Sequence, residues 1–326
     1  MRPLFRGQKG TTMAKSDRVL VTGGAGYLGS VLCEHLLSAG YRVTVLDSLH
    51  YGQHSLFHLC NHTRLEFVYG DARKEETVTP LLREADVIIP LAAVVGAPAC
   101  ERDPWLATSV NLDAVRLINR LRSKGQLVIF PTTNSGYGTK SGDVFCTEET
   151  PLDPISLYGQ TKVEAESELL ASENAVTLRL ATVFGMSPRM RLDLLVNHFV
   201  YASVTDGYLV LFEKDFKRNY VHIRDVADCF LYCIENANRM VGRSFNVGLD
   251  AANLSKAELA LKIKDFVPSF EIRFSDQGSD PDKRNYVVSN RRLREAGFEA
   301  KRSLDEGIRE LLKGYRMFGR SPFKNV

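Results

Sequence analysis

A phenol and an ammonium group lie four residues apart near the middle of the chain, in the segment Tyr158-Gly-Gln-Thr-Lys162. If this segment is helical, the spacing places the two side chains on one face. A free phenol has a pKa of about 10, and a neighbouring positive charge favours its ionised form. The pair could therefore supply a general base near neutral pH. Taken alone, the spacing is common by chance, and an exposed helical pair is the simpler interpretation.

A glycine-rich turn near the start of the chain could bind phosphate. It follows the β-branched run 18–22 and precedes a helix predicted over 27–39, which Gly40 would terminate. Its glycines allow a tight turn and a close approach to a pyrophosphate, whose charge the helix N-terminus stabilises. The residues expected to contact a dinucleotide here are Gly23, Gly26, Tyr27 and Leu28.

Two acidic residues end the next strand-like runs. Asp47 lies 18 residues after Gly29, where a carboxylate would bind the adenosine ribose hydroxyls and repel a 2′-phosphate. No arginine follows directly, so NAD is favoured over NADP. Asp71 would meet the adenine edge, or cap the helix that follows it. In this context the interpretation of Tyr158 and Lys162 as a catalytic pair becomes the stronger one.

Short apolar runs alternate with helical patterns up to about residue 182, which predicts a Rossmann-type, doubly wound parallel sheet. Predicted strands cover 18–22, 42–47, 65–70, 86–91, 126–131, 175–180 and 244–248, and further helices cover 104–124 and 156–172. We predict an NAD-binding Rossmann domain over 17–183 and 219–250. Residues 184–218 and 251–326 would form a smaller, mostly helical substrate lobe, with 1–16 a disordered lead-in.

Composition narrows the function classes. The chain has 326 residues, 44% hydrophobic and 25% charged, which is typical of a globular protein. A net charge of +3 argues against nucleic acid as a partner, and no apolar run reaches the ~18 residues of a membrane span. The six cysteines have no metal-ligand spacing, so we expect free thiols, no metal and a cytoplasmic protein. The basic start of the chain leaves organelle targeting open as an alternative.

Taken in order, these motifs resemble the extended short-chain dehydrogenases/reductases, the family of NAD-dependent nucleotide-sugar epimerases and dehydratases. The resemblance runs from residue 17 to about 318. Beyond the residues above, it rests on the segments Leu91-Ala92-Ala93 and Pro131-Thr-Thr-Asn-Ser-Gly-Tyr-Gly138, and on Asn111. It implies NAD contacts from Ala72, Leu91, Ala92 and Ala93, and a homodimer formed through the helices 104–124 and 156–172.

The resemblance also implies roles around the substrate, a nucleotide-diphosphate sugar. Thr133 would hydrogen-bond the reacting sugar hydroxyl, and Lys162 would also hold the nicotinamide ribose. Arg218 and Arg284 would bind the pyrophosphate, to which the planar guanidinium is suited, although either could instead belong to a surface ion pair. Asn134 and Asn197 are further expected substrate contacts.

One departure narrows the reaction. The 4,6-dehydratases of the family carry Asp-Glu directly after the catalytic threonine, whereas this chain has Asn134-Ser135. Elimination of water would therefore lack its proton-transfer groups. The resemblance favours epimerisation through transient hydride transfer, with position 4 first and position 2 as in CDP-sugar 2-epimerases second. A dehydrogenase or ketosugar reductase, and a non-catalytic NAD-binding protein, stay open as alternatives.

Overall fold

A computed structural model describes residues 17–140, 145–275 and 284–318. Its strands are β1 (Arg18–Thr22), β2 (Arg42–Asp47), β3 (Leu65–Tyr69), β4 (Val87–Pro90), β5 (Leu127–Thr133), β6 (Phe145–Cys146), β7 (Ala175–Leu180), β8 (Thr182–Phe184), β9 (Tyr208–Leu211), β10 (Lys217–His222), β11 (Arg243–Val247), β12 (Asn253–Ser255), β13 (Glu271–Phe274) and β14 (Val287–Val288). The predicted lead-in, 1–16, lies outside the described residues.

The helices are α1 (Tyr27–Ala39), α2 (Glu75–Glu84), α3 (Ala97–Arg102), α4 (Pro104–Thr108), α5 (Ala114–Leu121), α6 (Leu157–Leu170), α7 (Leu195–Thr205), α8 (Ile223–Glu235), α9 (Ala237–Met240), α10 (Lys256–Phe266), α11 (Arg291–Glu295) and α12 (Leu304–Phe318). Short 3₁₀ turns cover Phe57–Leu59, Asn134–Tyr137 and Asp250–Ala252, and a π-helical turn, Ser109–Asp113, joins α4 to α5. Within the described residues, no helix is both long and apolar enough to cross a membrane.

Seven parallel strands form the central sheet, in the order β11-β7-β5-β4-β1-β2-β3. The chain builds outward from β1 to β3 and then returns to β4 on the other side of β1. In a doubly wound sheet, this reversal opens a crevice at the carboxyl ends of the two central strands. The sheet confirms the predicted fold class, and the register of β1 with both neighbours confirms that it is a central strand.

Helices cover both faces of this sheet. On one face, Val19 of β1 packs in a common core with Val31 of α1. On the other face, Leu20 packs with Ile118 of α5 and Ala165 of α6. Successive strand residues point to opposite faces, so a strand covered on both sides must be apolar throughout. This explains why short uninterrupted apolar runs predicted the strands well.

Outside the central sheet, the described residues contain more strands than the sequence predicts. Alongside the helices α7, α10, α11 and α12, they form a three-stranded sheet of β12, β10 and β8, and the two-stranded pairs β13–β9 and β14–β6. Some of these strands come from the segments predicted for the Rossmann domain, since β6 lies within 17–183 and β10 extends from 217 to 222. These strands have two to six residues, too few for an alternation signal. The helix α7 was not predicted either, because the Met/Pro/Arg-rich stretch before it obscures its start.

Candidate active site

A cavity of about 370 Å³ opens at the carboxyl ends of the central strands. It lies where the strand order reverses, the usual ligand position in this architecture. The predicted site residues that line it are Gly23, Gly26, Tyr27, Leu28, Asp47, Asp71, Ala72, Leu91, Ala92, Ala93, Thr133, Tyr158, Lys162 and Arg284. The structure thus brings together residues that are up to 261 positions apart (284 − 23).

The glycine turn has the geometry of a phosphate cradle. Gly23 has a φ of +74°, and a Cβ added there would lie 2.5 Å from the backbone nitrogen of Ala92. A Cβ added at Gly26 would meet only the Gly23 carbonyl oxygen, at 3.1 Å, with open space around it. Because α1 begins at the next residue, its unpaired N–H groups face this region. The turn therefore fits the diphosphate of a dinucleotide.

Asp47 and Asp71 lie at the end of the cavity formed by β2 and β3. The Asp47 carboxylate accepts hydrogen bonds from the backbone N–H of Ala25 at 2.9 Å and of Leu49 at 2.8 Å. Burial raises its pKa, and these two bonds act in the opposite direction. Asp71 is instead held by the Arg73 guanidinium at 2.6–3.0 Å, which lowers the pKa of its carboxyl group.

A π-helical turn shapes the wall between the two ends of the cavity. Within it, the Asn111 side chain accepts a hydrogen bond from the Val94 N–H at 2.8 Å and donates one to the Val94 carbonyl oxygen at 2.9 Å. Val94 lines the cavity in the loop after β4. Asn111 therefore acts on the site through the backbone that it fixes, which agrees with the frequent use of π turns at functional sites.

The predicted catalytic residues meet at the opposite end of the cavity. Ser156 caps α6 by accepting a hydrogen bond from Gly159 N–H at 3.2 Å, so Tyr158 and Lys162 lie on successive turns. The Thr133 hydroxyl, at the end of β5, lies 2.8 Å from the Ser135 hydroxyl. Ser135 in turn accepts a hydrogen bond from the guanidinium of Arg284.

The electrostatics of this end differ from the sequence-based expectation. Burial raises the pKa of Tyr158, and the cations that oppose this effect are Arg191 and Arg284. Burial also lowers the pKa of Lys162 to about 7, against a usual value of about 10.4. The sequence predicted Lys162 as the cation that acts on the phenol, whereas in the structure its own charge is strongly affected by burial.

The other predicted substrate residues lie within the protein. Asn197 is fully buried: its Oδ1 accepts from Gly185 N–H at 3.0 Å, and its Nδ2 donates to the Tyr27 hydroxyl at 3.1 Å and to the Arg191 carbonyl at 3.0 Å. Asn134 and Arg218 are also buried and do not line the cavity. Arg218 stacks at 5.7 Å on the ring of Tyr286, which does line it.

Several lining residues were not predicted from the sequence. Arg189 and Arg191 come from the loop before α7; Arg189 stacks at 5.1 Å on Tyr51, and Arg191 pairs with Asp193 at 2.5 Å. Hydrogen bonds hold this loop on the first turn of α1, including one from the Ser187 hydroxyl to the Tyr27 carbonyl at 2.7 Å. The available signal was the two arginines, Arg189 and Arg191, within a short Pro/Met stretch.

Comparison with known proteins agrees with this geometry. The model of the NAD dependent epimerase/dehydratase family matches residues 19–248. The UDP-glucose 4-epimerase of Mycolicibacterium smegmatis is 31% identical over 317 residues, which cover 92% of this chain and 98% of that protein. UDP-glucuronic acid decarboxylase 1 of Arabidopsis thaliana is 26% identical over 316 residues, which cover 93% of this chain and 70% of that protein.

A solved structure gives the same result in three dimensions. The crystal structure of UDP-glucose 4-epimerase from Thermotoga maritima, with UDP-glucose, matches with a TM-score of 0.80 and 25% identity, covering 92% of this chain and 99% of that chain. The resemblance inferred from the motifs is therefore confirmed, and NAD is the cofactor. The chain belongs to the NAD dependent epimerase/dehydratase family, within the extended short-chain dehydrogenases/reductases that act on nucleotide sugars.

Proposed function

We propose that this protein is a nucleotide-sugar epimerase that inverts the carbon at position 4 of its sugar. The observation that carries the proposal is the convergence of Thr133, Tyr158 and Lys162 at the β5 end of the cavity. The glycine turn, Asp47 and Lys162 would hold NAD in the crevice, where it would supply reversible hydride transfer at the sugar carbon. The chain's own residues would hold the sugar and move the hydroxyl proton.

Tyr158 would take the proton of the reacting hydroxyl, because its phenol lines the cavity. Burial raises its pKa, and two guanidinium groups act in the opposite direction. Thr133 would orient the same hydroxyl. Arg284 would neutralise the diphosphate of the substrate, a role for which the flat guanidinium is well suited. It reaches the site beside Ser135, so one residue links the diphosphate region to the catalytic segment.

The charges of the cavity favour epimerisation over dehydration. Among the described residues, the carboxylates that line it are Asp47 and Asp71, both at the β2–β3 end. No described carboxylate therefore lies beside Thr133 to remove a second proton from the sugar ring. The UDP-glucose 4-epimerase at 31% identity supports the same choice. A dehydrogenase or ketosugar reductase would use the same residues and differs only in exchanging its cofactor with solution.

The test is a proton NMR time course of the purified protein with a panel of UDP-, GDP-, CDP- and dTDP-sugars and substoichiometric NAD⁺. We expect the anomeric signals of a new epimer to grow beyond the cofactor concentration. Conversion that stops at one equivalent of NAD⁺ would contradict the proposal and identify a dehydrogenase. The Tyr158→Phe variant, run on the same panel, controls for contaminating enzymes.

We further propose that the protein is a cytoplasmic homodimer that pairs through the segments 104–124 and 156–172. On this face, Arg116 of α5 contacts Glu164 and Glu168 of α6, both at 2.5 Å. Such an interface would include charged residues, so we expect the dimer to weaken at high salt. Light scattering of the eluting protein at low and high ionic strength measures this, and a monomer at every salt concentration would contradict it.

A further inference from the structure

The buried ammonium group of Lys162 lacks the partner that a buried charge usually has. Lys162 is 3% exposed and lines the cavity, and its Nζ makes no hydrogen bond or ion pair with any residue in 17–140, 145–275 or 284–318. Its contact is with the face of the Phe130 ring, whose centroid lies 4.0 Å from Nζ. The attraction between a cation and an aromatic ring is weaker than the cost of burying an ion. The charges that surround Lys162 in the fold therefore decide how far its own charge is retained.

A second buried charge lies one helical turn further along α6. Glu166 is four residues after Lys162 and is also 3% exposed, so both side chains point from the same face of the helix into the protein. Its Oε1 accepts hydrogen bonds from the Arg179 guanidinium at 2.6 and 2.9 Å. Its Oε2 is buried without a hydrogen-bond partner among the described residues. The carboxylate thus keeps one oxygen outside the ion pair.

Arg179 holds Glu166 in a fixed position. The same guanidinium donates to the Tyr137 hydroxyl and to the Glu148 carbonyl oxygen, each at 3.1 Å. Tyr137 donates in turn to Asn246 Oδ1 at 2.7 Å, and it belongs to the segment that carries Thr133. The position of the Glu166 carboxylate is therefore set by β7, β11 and the turn after β5 together.

Apart from Glu166, no group among the described residues near Lys162 carries a negative charge at neutral pH that would stabilise its ammonium form. Burial lowers the pKa of Lys162, and Glu166 is the largest influence that opposes it. The Cys100 thiol on α3 acts in the same direction, but burial raises its pKa to about 11, so it is uncharged at neutral pH. Tyr158, on the same helix, carries no charge while its phenol is protonated. Arg179 pairs with Glu166, and because it is a cation it does not stabilise the Lys162 ammonium group.

We propose that Glu166 is a positioning residue that keeps Lys162 cationic at the edge of the cavity, and that Arg179 fixes the carboxylate for this purpose. Only the expected effect on turnover rests on the proposed function. The charge of Lys162 is a property of the cofactor-free protein and can be measured there. A neutral amine would neither support an ionised Tyr158 nor donate as strongly to a ribose hydroxyl, so the Glu166–Arg179 pair would set the pH range of the enzyme.

The charge is measured without substrate. In the full-length, cofactor-free protein, the rate at which acetic anhydride acetylates Lys162 is followed against pH by mass spectrometry, since only the neutral amine reacts. We expect Glu166→Gln to lower the pH at which Lys162 titrates by about one unit. The control is Glu168→Gln, the same change two residues along α6 in a half-exposed ion pair with Arg116, and it should have no effect.

A third variant separates charge from packing. Arg179→Lys keeps the positive charge but loses the forked hydrogen bonds that fix the carboxylate, so it should lower the pH at which Lys162 titrates by less than Glu166→Gln does. An equal titration in Glu166→Gln and Glu168→Gln would overturn the proposal, as would a shift in Arg179→Lys as large as that in Glu166→Gln. If Glu166→Gln does not fold, the double replacement Glu166→Gln with Arg179→Met leaves no unpaired ion, and we expect a shift in the same direction.

Turnover then tests the consequence. With a substrate identified by NMR, the alkaline limb of the pH profile should move to lower pH in Glu166→Gln and not in Glu168→Gln. If Lys162 titrates lower while the profile is unchanged, the proposal for the charge stands and the proposed role of Lys162 in turnover fails. If neither the titration of Lys162 nor the pH profile of turnover changes in Glu166→Gln, Glu166 does not set the charge of Lys162.

Discussion

The two halves of the cavity differ in how their residues reach it. On the cofactor side, the predicted residues lie at the carboxyl ends of strands, in the turns after them, or on α1 and α6, and all of them line the cavity. On the substrate side, Arg284 lines it, while Asn197 and Arg218 are buried in the protein. Strand ends are placed by the sheet itself, whereas the direction of a side chain in a long loop depends on what the loop packs against. A motif thus locates a cofactor more reliably than a substrate.

The largest effect is expected where the two halves meet. Tyr158→Phe removes the proposed base, and turnover should fall by about 10²–10⁴-fold, the usual contribution of general base catalysis. NAD binding should change little, because the ring is retained. Turnover is measured by NMR and NAD affinity by calorimetry, with Tyr208→Phe, on the exposed strand β9, as the control. Turnover equal to that of the control would exclude Tyr158 as the base.

Arg284 tests whether the substrate half can be separated from the cofactor half. Replacing Arg284 with Gln removes a charged donor, so KM for the nucleotide sugar should rise by about 10- to 100-fold, equivalent to a charge-assisted hydrogen bond. Affinity for NAD should stay the same. Arg273→Gln, in an exposed ion pair on β13, is the matched control. A comparable loss of NAD affinity in Arg284→Gln would break the proposed separation of the two halves.

Asn197 should behave as part of the fold. Its amide satisfies the Tyr27 hydroxyl, the Gly185 N–H and the Arg191 carbonyl, so Asn197→Ala should cost about 2–3 kcal/mol of unfolding free energy and several degrees of melting temperature. The KM of the folded variant should be close to normal. Asn61→Ala, at an exposed position, serves for comparison in thermal denaturation. A raised KM with unchanged stability would restore the substrate contact predicted from the resemblance.

The smallest effect concerns stability and pH. The pKa of Lys162 is about 7 in the folded protein and about 10.4 in an unfolded chain. Between these values the unfolded chain binds more protons, so stability should rise with pH; below about pH 7 the cost of the buried charge is complete. Lys162→Met should therefore raise the melting temperature of the cofactor-free protein by a few degrees at pH 6 and less at pH 9. Lys124→Met, at an exposed position, should leave the melting temperature unchanged at both pH values.

The fold was largely predictable from the sequence because its strands are buried on both faces. The runs 18–22, 42–47 and 175–180 coincide with β1, β2 and β7. The helix α1 also ends where Gly40 predicts, with a φ of +99° and a backbone N–H bonded to the last turn. The short strands β9 and β12 and the helix α7 carry no such signal, since their pairing and burial depend on distant segments.

The residue types and spacings alone predicted the cofactor, the phosphate turn and the catalytic pair. These features depend on backbone conformation over short distances: a glycine at positive φ, an acid at a strand end, and two side chains one helical turn apart. Only the tertiary structure decided which arginines line the cavity, that Asn197 fastens the loop 185–197 to α1, and that Arg179 pairs with Glu166 one helical turn after Lys162. Burial and the neighbourhood of charges arise from contacts between remote segments, and no local pattern encodes them.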